Sequence, residues 1–281
     1  IVETADEVAR PMVTDVIGLL ANITTQQRGD IVQYQLPQKR KAHFVWSANG
    51  VGVDLIRVEG KHTETAVPRT FSTGFQYDPN ELVRDSVDSF NTLINDLANA
   101  KVRLYLKEIA KVITAAKASQ KIPAANILEG TNITLADYNK LASNLSRYGG
   151  RPVFIADPLF INYIAMQYTS DTTYKNVLTD TYRDQLRDFN IASIGMTDAI
   201  NLVNPFVDDT NTVTELPVDT GYMLAGEGRL KPFRVVEYGG MRQMTQTDFE
   251  TERVMMKVFQ DACVVLVFGN TLGYLKDDGI H

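Results

Sequence analysis

The amino-acid sequence predicts an α+β fold, in which long helical and strand-forming stretches are largely separate along the chain. Three observations predict it. A helical pattern of about 40 residues starts at Asp78. An Asn-Gly turn between two strand-like runs predicts a β-hairpin over 42–58. Short helical and strand-like patterns alternate from Thr131 to about residue 225, and further strands follow them.

The first 60 residues are predicted to project rather than to form a core. Apolar positions at helical spacing predict a helix within 3–20, broken or delayed by Pro11, and Ile31–Leu36 is strand-like. At the centre of the predicted hairpin, Asn49 and Gly50 are residue types that tolerate the positive φ of a two-residue turn. The basic cluster Lys39-Arg40-Lys41 follows Pro37, so it is expected in an exposed loop.

The predicted long helix has clear boundary signals. Asp78 and Pro79 are typical of an N-cap and a first helical residue, and Pro123 prevents continuation. Its apolar positions recur every three or four residues, with a small phase shift near Ala98–Lys101. A helix of this length spans about 60 Å, whereas a compact globule of this chain length has a diameter of about 48 Å. Unless the helix is broken near Ala98–Lys101, the pattern therefore predicts an elongated or plate-like molecule, with a hairpin and an N-terminal segment that one copy would cover poorly.

The next segment predicts a mixed α/β module. Thr134 with Asp137 is expected to cap a helix that ends before Gly149-Gly150, and Asp157-Pro158 is expected to start another. The other predicted elements are a strand at Pro152–Ala156, a helix at Tyr174–Arg187, and strands at Ile191–Met196, Ile200–Val203, Gly221–Leu224 and Phe233–Glu237.

The stretch 249–266 predicts two consecutive strands. Alternation places Val254, Met256 and Val258 on one face, which a long helix is expected to cover, and Arg253, Met255 and Lys257 on the other. A break is expected at Gln260-Asp261. The apolar run after it predicts a second strand that is buried on both faces, with Cys263 as a packing residue.

The sequence contains no pattern typical of a catalytic, cofactor-binding or metal site. Its three histidines lack ligand spacing, its single cysteine cannot form an internal disulfide, and no phosphate-binding or nucleophile motif occurs. The net charge of −6 disfavours a stoichiometric duplex binder. No apolar run reaches the roughly 18–20 residues that a membrane-spanning helix needs. We therefore expect no catalytic residue, cofactor, metal or membrane partner.

The order of these parts resembles the major capsid protein of tailed bacteriophages, which has the Hong Kong 97-type fold. Three stretches carry the resemblance: FSTGFQYDPNELVRDSVDSFNTLINDLANAKVRLYLKEIAKVI as a spine helix, RPVFIADPLFINYIA as the opening of an axial module, and KPFRVVEYGGMRQMTQTDFETERVMMKVFQDACVVLV as the closing strands.

The resemblance implies a domain organisation. Residues 1–30 correspond to an N-arm and 31–76 to an extended loop, the E-loop. A peripheral domain with the spine helix would comprise 77–120 and 228–262, and an axial domain 121–227 and 263–281.

The resemblance also implies a structural protein and not an enzyme. Its copies would form pentamers and hexamers of an icosahedral shell around packaged double-stranded DNA, bound without sequence specificity, with portal and scaffolding proteins as further partners. The location would be the virion capsid, assembled in the host cytoplasm. Two alternatives are an elongated α/β enzyme and a shell protein of a cellular nanocompartment with the same fold.

Candidate inter-subunit contacts come from the projecting hairpin and from the polar end of the strand at 249–266. They are Lys39, Arg40, Lys41, Trp46, Asn49, Gly50, Glu252 and Arg253.

Overall fold

A computed structural model describes residues 11, 17–35, 63–77, 88–170, 191–202, 204, 206–208, 210–226, 231–247 and 253–280. Within them lie twelve strands and three α-helices, numbered in chain order. They are β1 Ala21–Gln26, β2 Val32–Gln35, β3 Thr63–Ala66, β4 Arg69–Tyr77, α1 Asp88–Ala118, β5 Ile127–Gly130, α2 Leu135–Ser146, β6 Val153–Ala156, α3 Pro158–Ser170, β7 Ser193–Ile194, β8 Thr197–Asn201, β9 Thr220–Leu224, β10 Phe233–Thr247, β11 Val254–Leu266 and β12 Leu272–Asp277.

Helix α1 confirms the predicted long helix over its described length. Its 31 residues run without a break through Ala98–Lys101 and span about 46 Å. The helix ends before Pro123 in a Schellman motif, because Gln120 has a φ of +56° and the Lys121 amide donates to the Ala116 carbonyl at 2.9 Å. The predicted cap at Asp78-Pro79 lies outside the described residues.

A four-stranded sheet in the order β1-β10-β11-β4 packs on α1. β10 and β11 form a long antiparallel pair, and a bulge follows Tyr238, where Gly239 has a φ of +74°. β1 joins β10 in parallel, which places a segment near the N-terminus beside the closing strands. Neither the strand β1 nor the strand β4 was predicted from the sequence.

The expected break at Gln260-Asp261 is wrong, because β11 is one continuous strand of 13 residues. Both polar residues stay in the ladder because their side chains have partners. Gln260 donates to the Gly239 carbonyl at 3.0 Å, and Asp261 accepts from Thr70 at 2.6 Å. The expectation that both faces of the run after Asp261 pack against other elements is confirmed. Ala262 and Leu266 belong to the core with α1, and Val265 packs on the opposite side.

A second, six-stranded sheet in the order β5-β12-β9-β6-β8-β7 confirms the mixed α/β module. Its core with α2 and α3 contains Phe154 and Met223, and its other face contributes Ile155 and Tyr222 to the core around α1. The predicted cap of α2 is present, since the Asp137 amide donates to the Thr134 hydroxyl at 3.3 Å.

Other module boundaries differ from the prediction or lie outside the described residues. Gly195, with a φ of +55°, turns the chain between β7 and β8, so these strands do not follow the predicted bounds Ile191–Met196 and Ile200–Val203. Asp157 precedes α3 as predicted and accepts from the Leu159 amide at 2.9 Å. The predicted helix at Tyr174–Arg187 lies outside the described residues.

Strands β2 and β3 pair antiparallel and form a two-stranded stem. β2 confirms the strand predicted at Ile31–Leu36, with slightly shorter bounds. The predicted hairpin at 42–58 falls between β2 and β3, outside the described residues. In the part of the chain that the structure describes, no helix has both the length and the apolarity to cross a membrane.

A buried polar cluster joins α1 to the four-stranded sheet. The Lys101 Nζ lies 3.0 Å from Glu237 Oε1 on β10, and the Tyr105 hydroxyl donates to the same oxygen at 2.5 Å. The Lys101 side chain is 2% exposed and that of Glu237 8% exposed. A buried carboxylate is costly unless it is paired, so this cluster fixes where the helix lies along β10.

We expect Lys101→Met to destabilise the subunit by about 3–5 kcal/mol, because it leaves the buried Glu237 charge without its cation. Urea unfolding monitored by circular dichroism measures the loss. The matched control is Lys111→Met. Lys111 also belongs to α1 but pairs with Glu108 at the surface, and its removal should cost about 1 kcal/mol at most. Equal losses in the two variants would contradict the structural role of the buried pair.

Candidate subunit-contact surfaces

The structure describes one of the predicted contact residues. Arg253 is exposed and lies immediately before β11. Lys39, Arg40, Lys41, Trp46, Asn49, Gly50 and Glu252 lie outside the described residues. The described ranges therefore hold a single member of the predicted set and do not show whether the set lies together.

The predicted alternation in β11 is confirmed, and it defines two unlike faces of the four-stranded sheet. Met256 and Val258 are buried, whereas Met255 and Lys257 are exposed. The helix covers the first face, where the ring of Phe71 meets that of Tyr105 edge-on at 6.1 Å. The second face points away from α1.

An open apolar surface occupies one end of this second face. We call it the methionine face and define it by Met244, Met255, Lys257 and Phe259. Met244 is 64% exposed and Met255 40% exposed. Met244 lies opposite Lys257 in the ladder, and the Arg242 guanidinium lies over the Phe259 ring at 4.3 Å. Exposed apolar side chains grouped within a basic rim are typical of a protein contact surface.

The other end of the same face is covered by the β2–β3 stem. Ala66 packs there with Val236 and Val265, and the Tyr238 hydroxyl donates to the Ala66 carbonyl at 3.1 Å. Desolvation in this position raises the pKa of Tyr238. The stem is therefore fixed to the sheet.

Four separate segments meet at Asp261, between the stem and the methionine face. Asp261 accepts from Thr70 on β4 and from both Nε and Nη2 of Arg28, which follows β1, at 3.0 and 2.7 Å. Arg242 on β10 approaches the same carboxylate at 3.2 Å. The hydrogen bond from Thr70 and the Arg28 guanidinium lower the pKa of Asp261. This network ties the N-terminal segment to three strands of the sheet.

A cavity of about 470 Å³ lies between α1, the β3–β4 connection and β11. Phe71, Val112 and Cys263 line it, and the ion pair between Lys121 and Glu64, at 2.7 Å, stands at its edge. Burial raises the pKa of the Cys263 thiol, which disfavours the thiolate that a nucleophilic cysteine needs. Within the described ranges, no three His, Cys, Asp or Glu residues are grouped so that they could hold a metal ion.

The loop at Asp208 forms an exposed hydrogen-bonded turn. Its carboxylate accepts from the Thr212 and Val213 amides at 3.1 and 2.8 Å and from the hydroxyls of Thr210 and Thr212. These bonds lower the pKa of Asp208, and they occupy the oxygens that a cation would need.

Almost the whole chain matches prophage proteins in sequence. The family model described as "SPbeta prophage-derived putative capsid protein YonB" matches residues 1–276. One relative, the SPbeta prophage-derived uncharacterized protein YonB of Bacillus subtilis (strain 168), is 52% identical over 278 residues. That alignment covers 99% of this chain and 82% of the relative.

Several solved structures have the same fold as this chain. A chain of the satellite phage P4 procapsid, which includes the size determination (Sid) protein, has a TM-score of 0.59 at 10% identity, covering 99% of this chain and 90% of its own. A chain of the capsid of the cyanophage P-SCSP1u has a TM-score of 0.57 at 10% identity. The match covers 93% of this chain and 88% of the capsid chain. A chain of the holo-SrpI encapsulin complex from Synechococcus elongatus PCC 7942 has a TM-score of 0.51 at 13% identity. The match covers 92% of this chain and 86% of the encapsulin chain. These likenesses confirm the predicted α+β fold of the Hong Kong 97 type.

The Asp261 network should make a measurable, pH-dependent contribution to stability. A carboxylate with a lowered folded-state pKa stabilises the fold above its unfolded pKa of about 3.9, and this contribution disappears as the pH falls through the folded value. We expect Asp261→Asn to cost about 1–3 kcal/mol at pH 7, because it removes charge-assisted hydrogen bonds. Below pH 4 the difference from wild type should shrink.

Thermal unfolding measured between pH 3 and pH 8 checks this expectation. Asp198→Asn is the matched control, because Asp198 pairs with Arg151 at 3.1 Å and both side chains are more than 40% exposed. Its effect should be small across the pH range. A pH-independent loss in Asp261→Asn would show that the charge of Asp261 is not what matters.

Proposed function

Because the chain belongs to the family of prophage-derived capsid proteins, we propose that it self-assembles into pentamers and hexamers of an icosahedral shell that encloses packaged double-stranded DNA. Its role is structural. The geometric observation that carries the proposal is the open methionine face, at the far end of a sheet whose other side is covered by α1. A second copy can cover this surface.

The β2–β3 stem supports an E-loop that reaches such a copy. Val32 pairs with Ala66 and Gln35 with Thr63, and extending this register places the centre of the hairpin at residue 49. The independently predicted turn at Asn49-Gly50 coincides with that centre to within one residue. Fourteen residues of extended chain from Gln35 to Asn49 reach about 46 Å, which is comparable with the length of α1.

We assign the methionine face as the surface that receives the E-loop of a neighbouring copy. The stem covers one end of the outer face of the sheet and the methionine face lies at the other end, so each subunit presents both parts of a repeating contact. We propose that residues of the loop and of the start of β11 fix the register between copies. They are Trp46 near the loop tip, Lys39, Arg40 and Lys41 closer to the stem, and Glu252 and Arg253 beside β11.

The domain assignment follows from the same proposal. Residues 1–30 act as the N-arm and 31–76 as the E-loop. The peripheral domain comprises 77–120 and 228–262, and the axial domain 121–227 and 263–281. The network at Asp261 supports a fixed junction between N-arm and peripheral sheet, since Arg28 holds β11.

Packaged DNA, portal and scaffolding proteins are the proposed partners, and the virion capsid, assembled in the host cytoplasm, is the proposed location. A net charge of −6 suits a container, because a strongly basic wall would hold the genome through counterion release. DNA is therefore enclosed without sequence-specific contacts.

A nanocompartment shell is the second candidate, because the fold is also that of an encapsulin. The two candidates differ in what the shell encloses. Nuclease-protected double-stranded DNA in particles from lysogenic cells supports the capsid, whereas particles filled with protein and free of DNA support the nanocompartment.

The first test of assembly removes the proposed E-loop tip. Purified wild-type protein should form closed shells in negative-stain electron microscopy. A variant in which 42–58 is replaced by a short Gly-Ser linker should remain folded and soluble but should not close shells, because one half of the repeating contact is missing. Normal particles from the deletion variant would refute the E-loop assignment.

The second test changes the receiving surface. Met244→Glu combined with Met255→Glu should abolish or strongly reduce shell formation, because two carboxylates would be buried in the contact. Both side chains are exposed in the subunit, so its unfolding temperature should change little. Met196→Glu is the control, since Met196 is 44% exposed at the turn between β7 and β8. Shells from the double variant at wild-type yield would contradict this assignment.

A further inference from the structure

Strand β4 presents a long unprotected edge. It is the terminal strand of the four-stranded sheet, paired with β11 from Arg69↔Ala262 to Tyr77↔Val254, and no described strand lies on its other side. Proteins usually protect such edges with lysine, proline or a bulge, because the free backbone groups pair with other chains. The nine residues RTFSTGFQY contain neither lysine nor proline, and their pairing with β11 is regular.

The two phenylalanines of β4 lie symmetrically about Thr73. If two copies of the strand run antiparallel with Thr73 opposite Thr73, then Phe71 faces Phe75, Thr70 faces Gln76 and Ser72 faces Gly74. Aromatic pairs and threonine pairs are among the favourable cross-strand neighbours. Every phenylalanine then meets a phenylalanine, and the small or polar residues between them meet others of their kind.

We propose that β4 pairs with β4 of a second copy across a two-fold axis through Thr73, which joins two four-stranded sheets into one of eight strands. Such an isologous contact uses the same surface on both copies, and the symmetric placement of the two phenylalanines favours it. The contact rests on the proposed self-assembly and adds an interface that is separate from the E-loop and the methionine face.

The packing of α1 leaves room for this pairing. Lys101 and Tyr105 bond Glu237 on β10, so this part of the helix lies over the inner strands, and the Tyr105 ring also touches Phe71 on β4. Across the axis, the two copies of β11 are separated by three strand spacings, or about 14 Å. This exceeds the 8–10 Å at which helices pack against each other, so the two α1 helices do not collide.

The alternating exposure of β4 also fits a joined sheet. Phe71, Thr73 and Phe75 are half-buried on the helix side, whereas Ser72, Gly74 and Gln76 are exposed on the outer side. Pairing across the edge would complete the burial of the first set and extend the polar outer surface with the second. The backbone groups along the free edge would gain partners in the same step.

Disulfide trapping tests the register. In an antiparallel pair, opposite Cα atoms lie about 4.5–5.5 Å apart, within the range that a disulfide requires. We expect Thr73→Cys to give a covalent dimer under mild oxidation, seen on a non-reducing gel. Ser72→Cys is the matched control, because position 72 faces Gly74 and the two introduced thiols would be diagonal neighbours, roughly 7–8 Å apart. Wild type, with Cys263 alone, gives the background.

Charge pairing tests the two-fold symmetry. Thr73→Lys and Thr73→Glu each place like charges opposite each other on the axis, and each variant alone should self-associate about fivefold more weakly than wild type. Mixing the two variants should restore association and give mixed dimers, measured by analytical ultracentrifugation. Circular dichroism confirms that each variant is folded.

The possible results of these experiments distinguish a failure of the β4 contact from a failure of the proposed shell assembly. No dimer from Thr73→Cys, or equal crosslinking of Thr73→Cys and Ser72→Cys, overturns the β4 contact, as does wild-type association of both charged variants. Wild-type shells alongside these results would leave the shell proposal intact. Specific trapping of Thr73→Cys dimers by a protein that forms no shells would support the contact and count against the shell.

Discussion

The position of α1 is the constraint on which the rest of the structure depends. One side of this helix contributes Ile109 and Ile113 to a core shared by both sheets, and the buried ion pair between Lys101 and Glu237 fixes the helix along β10. The helix is about 46 Å long and packs against residues of both sheets. One helix therefore positions both sheets, and the four-stranded sheet has an edge and an outer face that the described elements cover only in part.

The polar networks keep these open surfaces in fixed positions. The outer face of the sheet carries the stem at one end and the methionine face at the other, and the Asp261 carboxylate joins Arg28, Thr70 and Arg242 between them. Each of these partners belongs to a different segment of the chain. Surfaces that contact other copies must hold their geometry before contact, because ordering them during association would cost conformational entropy. The network provides that order within the subunit.

Features set by neighbouring residues could be predicted from the sequence, and features set by distant pairing could not. The cap at Thr134, the start of α3 after Asp157 and the two faces of β11 follow from local patterns. The strand β4 was not predicted, since 71–77 was assigned to the stretch that opens the spine helix, and it is a strand because β11 pairs with it. Likewise Asp261 looked like a break, since its partner Arg28 lies 233 positions away. Of the predicted contact residues, only Arg253 falls within the described ranges.

Two kinds of contact are needed to close a shell from one kind of subunit, and the two proposed contacts would supply one of each. A head-to-tail contact between a projecting loop and a distant surface of the next copy generates rings when its rotation closes. A ring alone does not grow into a shell, because its outer edge has no partner. A two-fold contact along a self-complementary strand joins one ring to the next without using the ring contact. The outer face of the four-stranded sheet would make the head-to-tail contact, and its β4 edge would make the two-fold contact. Because both belong to one sheet packed on α1, the sheet would set the angles between subunits at both contacts.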